Sequence, residues 1–435
     1  MNIFQTINLR LKKNKLIKNS YILFLGSMSV SVGNYIFHLV AGRALGPADY
    51  GILASLISVS AILSIPMSTV SMVIVKLASN LKVSKNYGEL HFLLRYLVKN
   101  LTLVGIAVFL VLCIMAPWLA HFLQIPSLKL ILALNFILFL AFVVPTTRAI
   151  LQGLQLFKSL TWNLLIEALI KTSLGAALVL TSLKVYGALG AIAVANLIAF
   201  IVSFLPLRFI FLHTPQNKIK DYKIISFALP ILITLFCLTA LYNVDIIMVK
   251  HFFPAKEAGL YSALSKLSQI IFFATGTIAA VMFPMAAEKY KKGEDHQHLL
   301  KQSLRIVGFV SGSGVVAYFL FPQLIIKMLF GSSYLVISPL VGFSAITMFF
   351  LSLDNILISY YLSIHKFKFI YILIAASILE ILLILMRHSS IRQIVFNLLI
   401  SIAGLFGGLM IFYFWEKKGN LALNKSKNTS NLLQS

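Results

Sequence analysis

Two long apolar runs are separated by Gly42-Arg43-Ala44-Leu45-Gly46-Pro47-Ala48-Asp49-Tyr50-Gly51, a short polar stretch. One run extends from about Ile22 to Ala41 and the other from about Ile52 to Val75. Each run has the roughly 20 residues that a helix needs to cross the hydrocarbon core of a bilayer. Gly46-Pro47 favours a turn between them. The stretch therefore predicts two membrane-spanning helices joined by a tight connection.

The composition of the whole chain also indicates a membrane protein. Hydrophobic residues make up 60% of the 435 residues, charged residues 11%, and the mean hydropathy is +0.94. A water-soluble domain cannot bury that much apolar surface. The apolar runs are continuous and do not alternate with polar residues, so they predict helices rather than the strands of a membrane barrel.

About twelve membrane-spanning helices are predicted. Their ranges are 20–42, 50–75, 92–117, 128–151, 158–182, 187–212, 224–250, 258–287, 302–329, 334–364, 368–387 and 391–415. In this arrangement 27 of the 37 Lys and Arg residues lie on the side of the N-terminus and eight on the opposite side, while Lys171 and Lys266 lie deep within spans. Because Lys and Arg concentrate in cytoplasmic loops, we expect a multi-pass protein of the cytoplasmic membrane with both termini in the cytoplasm.

The predicted spans divide into two sets of six. The expected organisation is a basic cytoplasmic N-terminus (1–19), an N-terminal six-helix bundle (20–213), a cytoplasmic linker (214–223), a C-terminal six-helix bundle (224–416) and a disordered cytoplasmic tail (417–435). A weak internal repeat supports this division, because Asn34 precedes Gly51 much as Asn243 precedes Gly259. Two parallel repeats would place a site between the halves and would suit alternating access.

Three stretches resemble one family of transporters. They are Ala41-Gly42-Arg43-Ala44-Leu45-Gly46-Pro47-Ala48-Asp49-Tyr50-Gly51, then Asn243-Val244-Asp245-Ile246-Ile247-Met248-Val249-Lys250-His251-Phe252-Phe253 with Glu257-Ala258-Gly259-Leu260-Tyr261-Ser262, and Phe283-Pro284. The first resembles the first external hairpin of the polysaccharide and oligosaccharide flippases, which share a superfamily with the multidrug and toxin extrusion transporters. The others are similar to that family's seventh span, the hairpin after it and a proline late in the eighth span. The resemblance implies two six-helix bundles around a central cavity, and export of a glycan linked to undecaprenyl pyrophosphate.

Four basic residues are candidates for binding the pyrophosphate of such a substrate: Arg43, Lys171, Lys250 and Lys266. The guanidinium fork of Arg matches phosphate oxygens, and Lys offers a point charge. The alternative for Arg43 and Lys250 is that they extend toward lipid headgroups. The alternative for the two lysines within spans is a structural ion pair, of Lys171 with Glu167 and of Lys266 with Asp245. Arg148 would anchor the cytoplasmic end of its span or receive the headgroup there.

Four acidic residues within spans are candidates for coupling transport to a proton or sodium gradient: Glu167, Asp245, Asp354 and Glu380. A charge within the hydrocarbon is costly, so each of these residues is a functional hypothesis. Asp354 and Glu380 lie near the middle of their predicted spans and have no obvious partner nearby in the sequence. The alternative for these two acids is a hydrogen bond between helices.

No cofactor or metal is predicted. The nine His residues show no metal-ligand spacing, and Cys113 and Cys237 lie within apolar runs, where small buried side chains are expected. There is no long connection that could hold a catalytic domain, which argues against a membrane glycosyltransferase or ligase. The net charge of +25 comes from small basic groups between apolar runs rather than from one basic domain, so nucleic acid is not an expected partner.

The leading hypothesis is therefore a non-enzymatic flippase whose partners are a lipid-linked glycan and membrane lipid. The alternative is a multidrug or organic-cation antiporter of the same fold. The two hypotheses differ in the expected charge of the cavity, because a cationic substrate favours acidic walls and an anionic substrate favours basic walls. Among the residues within spans and at their outer ends, basic and acidic side chains are evenly matched, so the count of charges does not decide between the two hypotheses. The resemblance of the first hairpin to the flippases does.

Overall fold

The computed structural model describes the backbone of residues 15–216 and 225–432, and every regular element in these two ranges is a helix. The α-helices, numbered in chain order, are α1 (Lys15–Leu63), α2 (Ile65–Val83), α3 (Tyr87–Phe122), α4 (Leu128–Gly153), α5 (Phe157–Val179), α6 (Lys184–Ser203), α7 (Ile225–Ala240), α8 (Val244–Phe252), α9 (Ala255–Lys292), α10 (Gln297–Leu320), α11 (Pro322–Leu329), α12 (Ser338–Ser363), α13 (Phe369–Met386) and α14 (Ile391–Leu432). Two 3₁₀-helices, Leu205–Leu212 and Ser332–Ile337, follow α6 and α11. The predicted basic N-terminus up to residue 14 and most of the predicted linker lie outside the described residues.

The predicted turn lies inside α1, at Gly46. This glycine has φ 71° and ψ 174°, a backbone conformation that residues with a side chain avoid. The Nδ1 atom of His38 lies 3.2 Å from the hydroxyl of Tyr50. Twelve residues of straight helix would separate these two residues by about 18 Å along the axis. The chain therefore turns back at Gly46, and α1 consists of two helical runs that pack side by side.

Ten helical segments of the described residues are long and apolar enough to cross a membrane, or eleven if the bent pair α7 and α8 forms one span. The protein is thus a multi-pass membrane protein, but the predicted count of twelve is not confirmed. Two of the differences have local causes. The two helical runs that meet at Gly46 are counted as one segment, and α7 and α8 meet at a bend of 44°.

The last helix is longer than its predicted span. α14 continues to Leu432, across residues that the sequence predicts to be a disordered tail. Once a helix has formed, each further residue adds a hydrogen bond without a new nucleation step. Extension of an existing helix is therefore easier than formation of a separate one, and composition alone does not capture this difference.

The chain folds into two compact units, and each of them is discontinuous in sequence. Unit 1 comprises the chain up to Thr239 together with Ile246–Ala263 and Ile326–Val336. Within it α1 packs on α5, α5 on α6, and α4 on both α3 and α6. One apolar cluster joins α2, α3, α4 and α5 to the first 3₁₀-helix and includes Ile74, Leu94, Ile150 and Leu207. This packing positions α2 and α4 next to each other, which forms the cavity described below.

Unit 2 comprises Ala240–Asp245, Leu264–Ile325 and the chain from Ile337 onward. Within it α12 packs on α10 and α14, and α13 packs on α14. Buried polar contacts join α9 to its neighbours. The Ser268 hydroxyl donates to that of Ser344 at 2.6 Å, and the Tyr318 hydroxyl donates to the Leu267 carbonyl at 2.8 Å.

Candidate functional site

Unit 1 contains a cavity of about 550 Å³. Pockets that bind small molecules commonly have volumes of roughly 300–1,000 Å³. Half of its twelve lining residues are apolar, and the other half can form hydrogen bonds: Ser64, Ser68, Ser71, Arg148, Gln152 and Asn196. The cavity therefore combines an apolar wall with a polar one.

The spacing of these residues explains why they meet. Ser64, Ser68 and Ser71 are four and three residues apart, so they follow one face of the helix that begins here. Pro66 lies in the first turn of α2, where its missing N–H is tolerated. Arg148 and Gln152 are four residues apart on α4 and share a face in the same way. The polar wall therefore comes from two adjacent helices, with Asn196 added from α6.

Arg148 supplies the charge in the cavity, and two side chains of α5 hold it. Its Nε donates to the Asn163 Oδ1 at 2.7 Å, and its Nη2 donates to the Glu167 Oε2 at 2.5 Å. The Asn163 amide in turn donates to the Ala199 carbonyl at 2.6 Å, which fixes the orientation of that amide. Glu167 is not among the lining residues, so the guanidinium is the charged group that faces the cavity.

This arrangement differs from the sequence-based expectation. Glu167 and Lys171 share a helix face, but they do not form the ion pair that was the alternative for Lys171, because Glu167 binds Arg148 instead. Arg148 is not simply an anchor at the end of its span. The sequence contains one signal of this, since Arg148 follows Pro145 by three residues in a helix whose one other charged residue, Lys129, lies at its start.

Lys171 is partnered by α1. Its Nζ donates to the Asn34 Oδ1 and lies 5.5 Å from the centroid of the Phe37 ring. The neighbouring Thr172 hydroxyl donates to the Gly33 carbonyl at 3.1 Å. Lys171 therefore ties α5 to α1 and does not line the cavity described above.

Three of the predicted intramembrane charges lie close together in unit 2. Asp245, Lys266 and Glu380 are all buried, and the Asp245 carboxylate acts electrostatically on both of the others. The Ser265 hydroxyl donates to the Asp245 Oδ2 at 3.3 Å, and the Lys266 Nζ donates to the Gln269 Oε1 at 2.9 Å. The structure therefore brings α8, α9 and α13 together around a polar cluster that the sequence predicts only in part.

Asp354 is a separate buried acid on α12. Its side chain has no solvent exposure, and neither carboxylate oxygen has a hydrogen-bond partner among the described residues. One carboxylate oxygen of Glu380 also lacks such a partner. Placing a charge in apolar surroundings without a partner is costly. The predicted alternative of a hydrogen bond between helices is not observed for Asp354 in the described part of the chain.

Arg43 and Lys250 bind backbone carbonyl groups rather than extending toward lipid headgroups. The Arg43 guanidinium donates to the carbonyls of residues 327–329, the last turn of α11, with distances of 3.2 Å to Lys327 and 3.1 Å to Leu329. Lys250 is 1% exposed, and its Nζ donates to the Gln124 carbonyl at 3.3 Å. Neither residue lines the 550 Å³ cavity.

A smaller cavity of about 210 Å³ lies in unit 2 between the ends of α9, α12 and α14. The Tyr360 hydroxyl and the His296 Nδ1 are 2.8 Å apart in its wall, and Lys366 forms an ion pair with Glu416. Burial lowers the pKa of the His296 imidazole. The negative charges of Asp295 and Glu416 oppose this shift, and the positive charge of Lys366 adds to it. This polar cluster has no counterpart in the sequence-based predictions.

The described residues form a multi-pass helical fold with polar cavities and buried charges. Residues 16–290 match the model of the family described as "Polysaccharide biosynthesis protein", and the chain belongs to that family. This confirms the relationship that the hairpin sequences indicate. No curated protein matches the sequence.

Several solved structures share the fold at low sequence identity. An inward-facing multidrug resistance MATE family transporter of the MOP superfamily has a TM-score of 0.73 and 11% identity, and the alignment covers 91% of this chain and 96% of that one. The eukaryotic MATE transporter AtDTX14 has a TM-score of 0.65 and 15% identity, with coverage of 95% and 100%. A MOP superfamily transporter from Pyrococcus furiosus, described as having a binding pocket of reverse polarity, has a TM-score of 0.64 and 12% identity, with coverage of 94% and 96%. These matches establish the fold.

Proposed function

We propose that the protein is a flippase that moves a lipid-linked (polyprenyl-pyrophosphate) oligosaccharide or polysaccharide repeat unit across the cytoplasmic membrane by alternating access. The observation that carries the proposal is the lining of the cavity in unit 1. Its charged side chain is the guanidinium of Arg148, and none of its twelve described lining residues is acidic. A cationic substrate favours acidic walls, so this lining supports an anionic substrate over an organic cation. Membership of the polysaccharide biosynthesis family points in the same direction.

The chemistry of the cavity suits a sugar phosphate. A guanidinium can bind two phosphate oxygens at once. The hydroxyls of Ser64, Ser68 and Ser71 and the amides of Gln152 and Asn196 can each donate and accept hydrogen bonds, as sugar hydroxyls do. The polyprenyl chain would stay in the bilayer, because each CH₂ group withdrawn from it costs about 0.8 kcal/mol.

The four basic residues predicted from the sequence remain proposals as binding residues. Lys171 and Lys266 each donate to a neutral amide oxygen, from Asn34 and Gln269, which a phosphate oxygen could replace. Arg43 and Lys250 already bind carbonyl oxygens. We therefore place Arg148 first among the residues that bind the headgroup.

We also propose that the buried acids couple transport to a proton or sodium gradient. Asp354 supports this idea most directly, because a buried carboxylate without a partner calls for a proton or a cation. Asp245 and Glu380 would act as a pair, since they lie within electrostatic reach of each other. Glu167 is a weaker candidate, because its carboxylate is already bound to Arg148.

The test uses the purified protein in proteoliposomes with a fluorescent polyprenyl-pyrophosphate oligosaccharide. We expect transbilayer movement above that of empty liposomes, and a loss of at least tenfold in Arg148→Ala. Tenfold corresponds to roughly 1.4 kcal/mol, which is close to the lower end of the roughly 1.5–3 kcal/mol of a hydrogen bond to a charged group. Absence of movement with the parent protein would contradict the proposal.

Two further variants separate binding from folding. Arg148→Ala leaves Glu167 without its partner, so the double variant Arg148→Gln/Glu167→Gln removes both charges together and should fold while remaining defective. Arg208→Ala, which removes an exposed arginine outside the cavity, is the matched control and should transport normally.

The same liposomes test the proposed coupling. A proton or sodium gradient should accelerate transport by the parent protein but not by Asp354→Asn.

The alternative function, a multidrug or organic-cation antiporter, makes the opposite prediction in the same liposomes. Uptake of tetraphenylphosphonium driven by a gradient, without movement of the glycolipid, would support the antiporter. Arg148 would then be an obstacle to the substrate, and its removal would leave cation uptake unchanged or increase it.

A further inference from the structure

Six connections lie on the predicted outer side of the membrane, and four of those that belong to unit 1 carry the contacts described next. They are the turn at Gly46, the connection after α3, the connection between α8 and α9, and the region around α11. Two of them come from the second half of the sequence, because Ile246–Ala263 and Ile326–Val336 belong to unit 1. Segments from both halves are therefore joined at this end of the molecule.

The Gly46 turn contributes three contacts, which we call the clasp. Arg43 donates to the carbonyls of residues 327–329, and the Tyr334 hydroxyl donates to the Gly42 carbonyl at 2.8 Å. The backbones of Gly51 and Gly259 touch, since a Cβ placed on Gly51 would lie 2.9 Å from the Gly259 Cα. These two glycines are the pair that the internal repeat relates.

An aromatic cluster lies beneath the clasp. The rings of Tyr50, Phe330 and Tyr334 have centroids 5.3–6.5 Å apart and pack edge to face. Each of these residues is at most 2% exposed. The cluster therefore buries three aromatic rings directly beside the contacts of the clasp.

A second set of contacts joins the connection after α3 to the end of α8. The His251 Nδ1 donates to the Phe122 carbonyl at 2.7 Å, and its ring stacks on the Phe122 ring with centroids 4.2 Å apart. The Gln124 amide donates to the His251 carbonyl at 2.6 Å, and Lys250 donates to the Gln124 carbonyl. Both sets consist mainly of hydrogen bonds to backbone carbonyls.

We propose that the clasp is the outer gate of the transporter and that Arg43 and Tyr334 are positioning residues that hold it closed. The inference rests on the proposed transport function, because delivery of a substrate to the outer side requires these segments to separate. The Arg43 side chain is exposed, so water can replace the carbonyl oxygens when the gate opens. The guanidinium also matches the negative end of the α11 dipole, which favours the closed state. Arg43 thus holds the gate closed through its contacts with the carbonyls of residues 327–329.

Ser262 provides a reporter for opening. It is 1% exposed and lies three residues after Gly259 on α9, on the same helix face. Its hydroxyl bonds only to the Ala258 carbonyl of its own helix among the described residues, so Ser262→Cys is a mild change. Cys113→Ala and Cys237→Ala remove the native thiols. A membrane-impermeant maleimide added from outside then measures how often the gate opens, without any substrate.

We expect Arg43→Ala to increase the labelling rate of Ser262→Cys about tenfold, which corresponds to roughly 1.4 kcal/mol. Arg43→Ala/Tyr334→Phe should increase it further, and Arg43→Lys should restore most of the slow labelling. Arg392→Ala is the matched control, because this exposed arginine lies over the Phe396 ring at the start of α14 and is not part of the clasp. Labelling in detergent after unfolding gives the maximum signal.

Unchanged labelling in both Arg43→Ala and the double variant would overturn the gate. Loss of glycolipid movement in Arg43→Ala without a change in labelling would also overturn it, and would instead make Arg43 a binding residue. If Arg43→Ala does not insert into the membrane, Tyr334→Phe alone decides the question, because it removes a single hydroxyl. The labelling requires no glycan, so its outcome does not depend on whether the proposed substrate is correct.

Discussion

The imidazole of His296 lies in the wall of the smaller cavity, next to the Tyr360 hydroxyl. Burial lowers its pKa relative to the unfolded chain. Between the lowered pKa and about 6.5, the unfolded chain binds more protons than the folded protein, so stability rises with pH. The folded state therefore loses stability as the pH falls below about 6.5. In detergent, we expect the Tm to fall from pH 7.5 to pH 5.5 by less in His296→Gln than in the parent protein.

His298→Gln is the matched control for this measurement. It removes an exposed imidazole from the first turn of α10 and leaves the cavity wall intact. An equal loss of Tm in His296→Gln and the parent protein would show that the His296 imidazole does not contribute to the pH dependence.

Local spacing identifies which side chains share a helix face, but it does not decide which partner each one binds. Glu167 and Lys171 lie together on α5, as the sequence predicts, yet each binds a residue from another helix. The guanidinium of Arg148 reaches Glu167 from α4, and Asn34 reaches Lys171 from α1. The packing of α4 and α1 against α5 determines these contacts. The sequence of α5 alone does not indicate which helices pack against it.

At the level of elements, the turn at Gly46 makes a direct prediction. A residue with a side chain at φ 71° and ψ 174° is strained, and such conformations cost on the order of 1–3 kcal/mol. A Cβ at this position would meet no atom within 4 Å, so the strain is confined to the backbone. Gly46→Ala should therefore lower the unfolding free energy by about this amount without disturbing neighbouring side chains. The measurement is thermal or denaturant unfolding of the purified protein.

Gly190→Ala is the comparison for this change. Gly190 lies within α6, and a Cβ there would also meet no atom within 4 Å. Alanine in a helix interior is favoured over glycine by about 1 kcal/mol. Gly190→Ala should thus be neutral or stabilising. A similar loss of stability in both variants would show that the Gly46 conformation is not the cause.

The turn at Gly46 and the bend between α7 and α8 illustrate what the sequence could and could not predict at this scale. Gly46-Pro47 is recognisable, because glycine and proline interrupt an apolar run. The bend of 44° between α7 and α8 is not, because Leu241-Tyr242-Asn243 contains neither residue and lies within a continuous apolar run. A tertiary contact accompanies this bend, since the Gln269 amide donates to the Tyr242 carbonyl at 2.8 Å. A contact between residues this far apart in the chain cannot be predicted from the sequence around the bend.

For the whole molecule, the distribution of basic residues predicts which way the protein crosses the membrane. Lys256 and Lys291 are exposed residues at opposite ends of α9. In a background without native cysteines, an impermeant maleimide added to intact cells should label Lys256→Cys. Lys291→Cys should react only after the membrane is permeabilised. The opposite pattern would place both termini outside the cell and reverse the proposed direction of export.

The discontinuity of unit 1 has a consequence for how the protein is made. Ribosomes add roughly 5–20 residues per second, and domains generally fold as their residues emerge. Unit 1 cannot be completed when its first six spans are in the membrane, because it still lacks Ile246–Ala263 and Ile326–Val336. The ribosome must therefore add about 120 further residues, which takes roughly 6–25 s, and the face that receives these segments stays uncovered during that time. During biogenesis that face is the part of the chain that a membrane chaperone or insertase has most reason to shield.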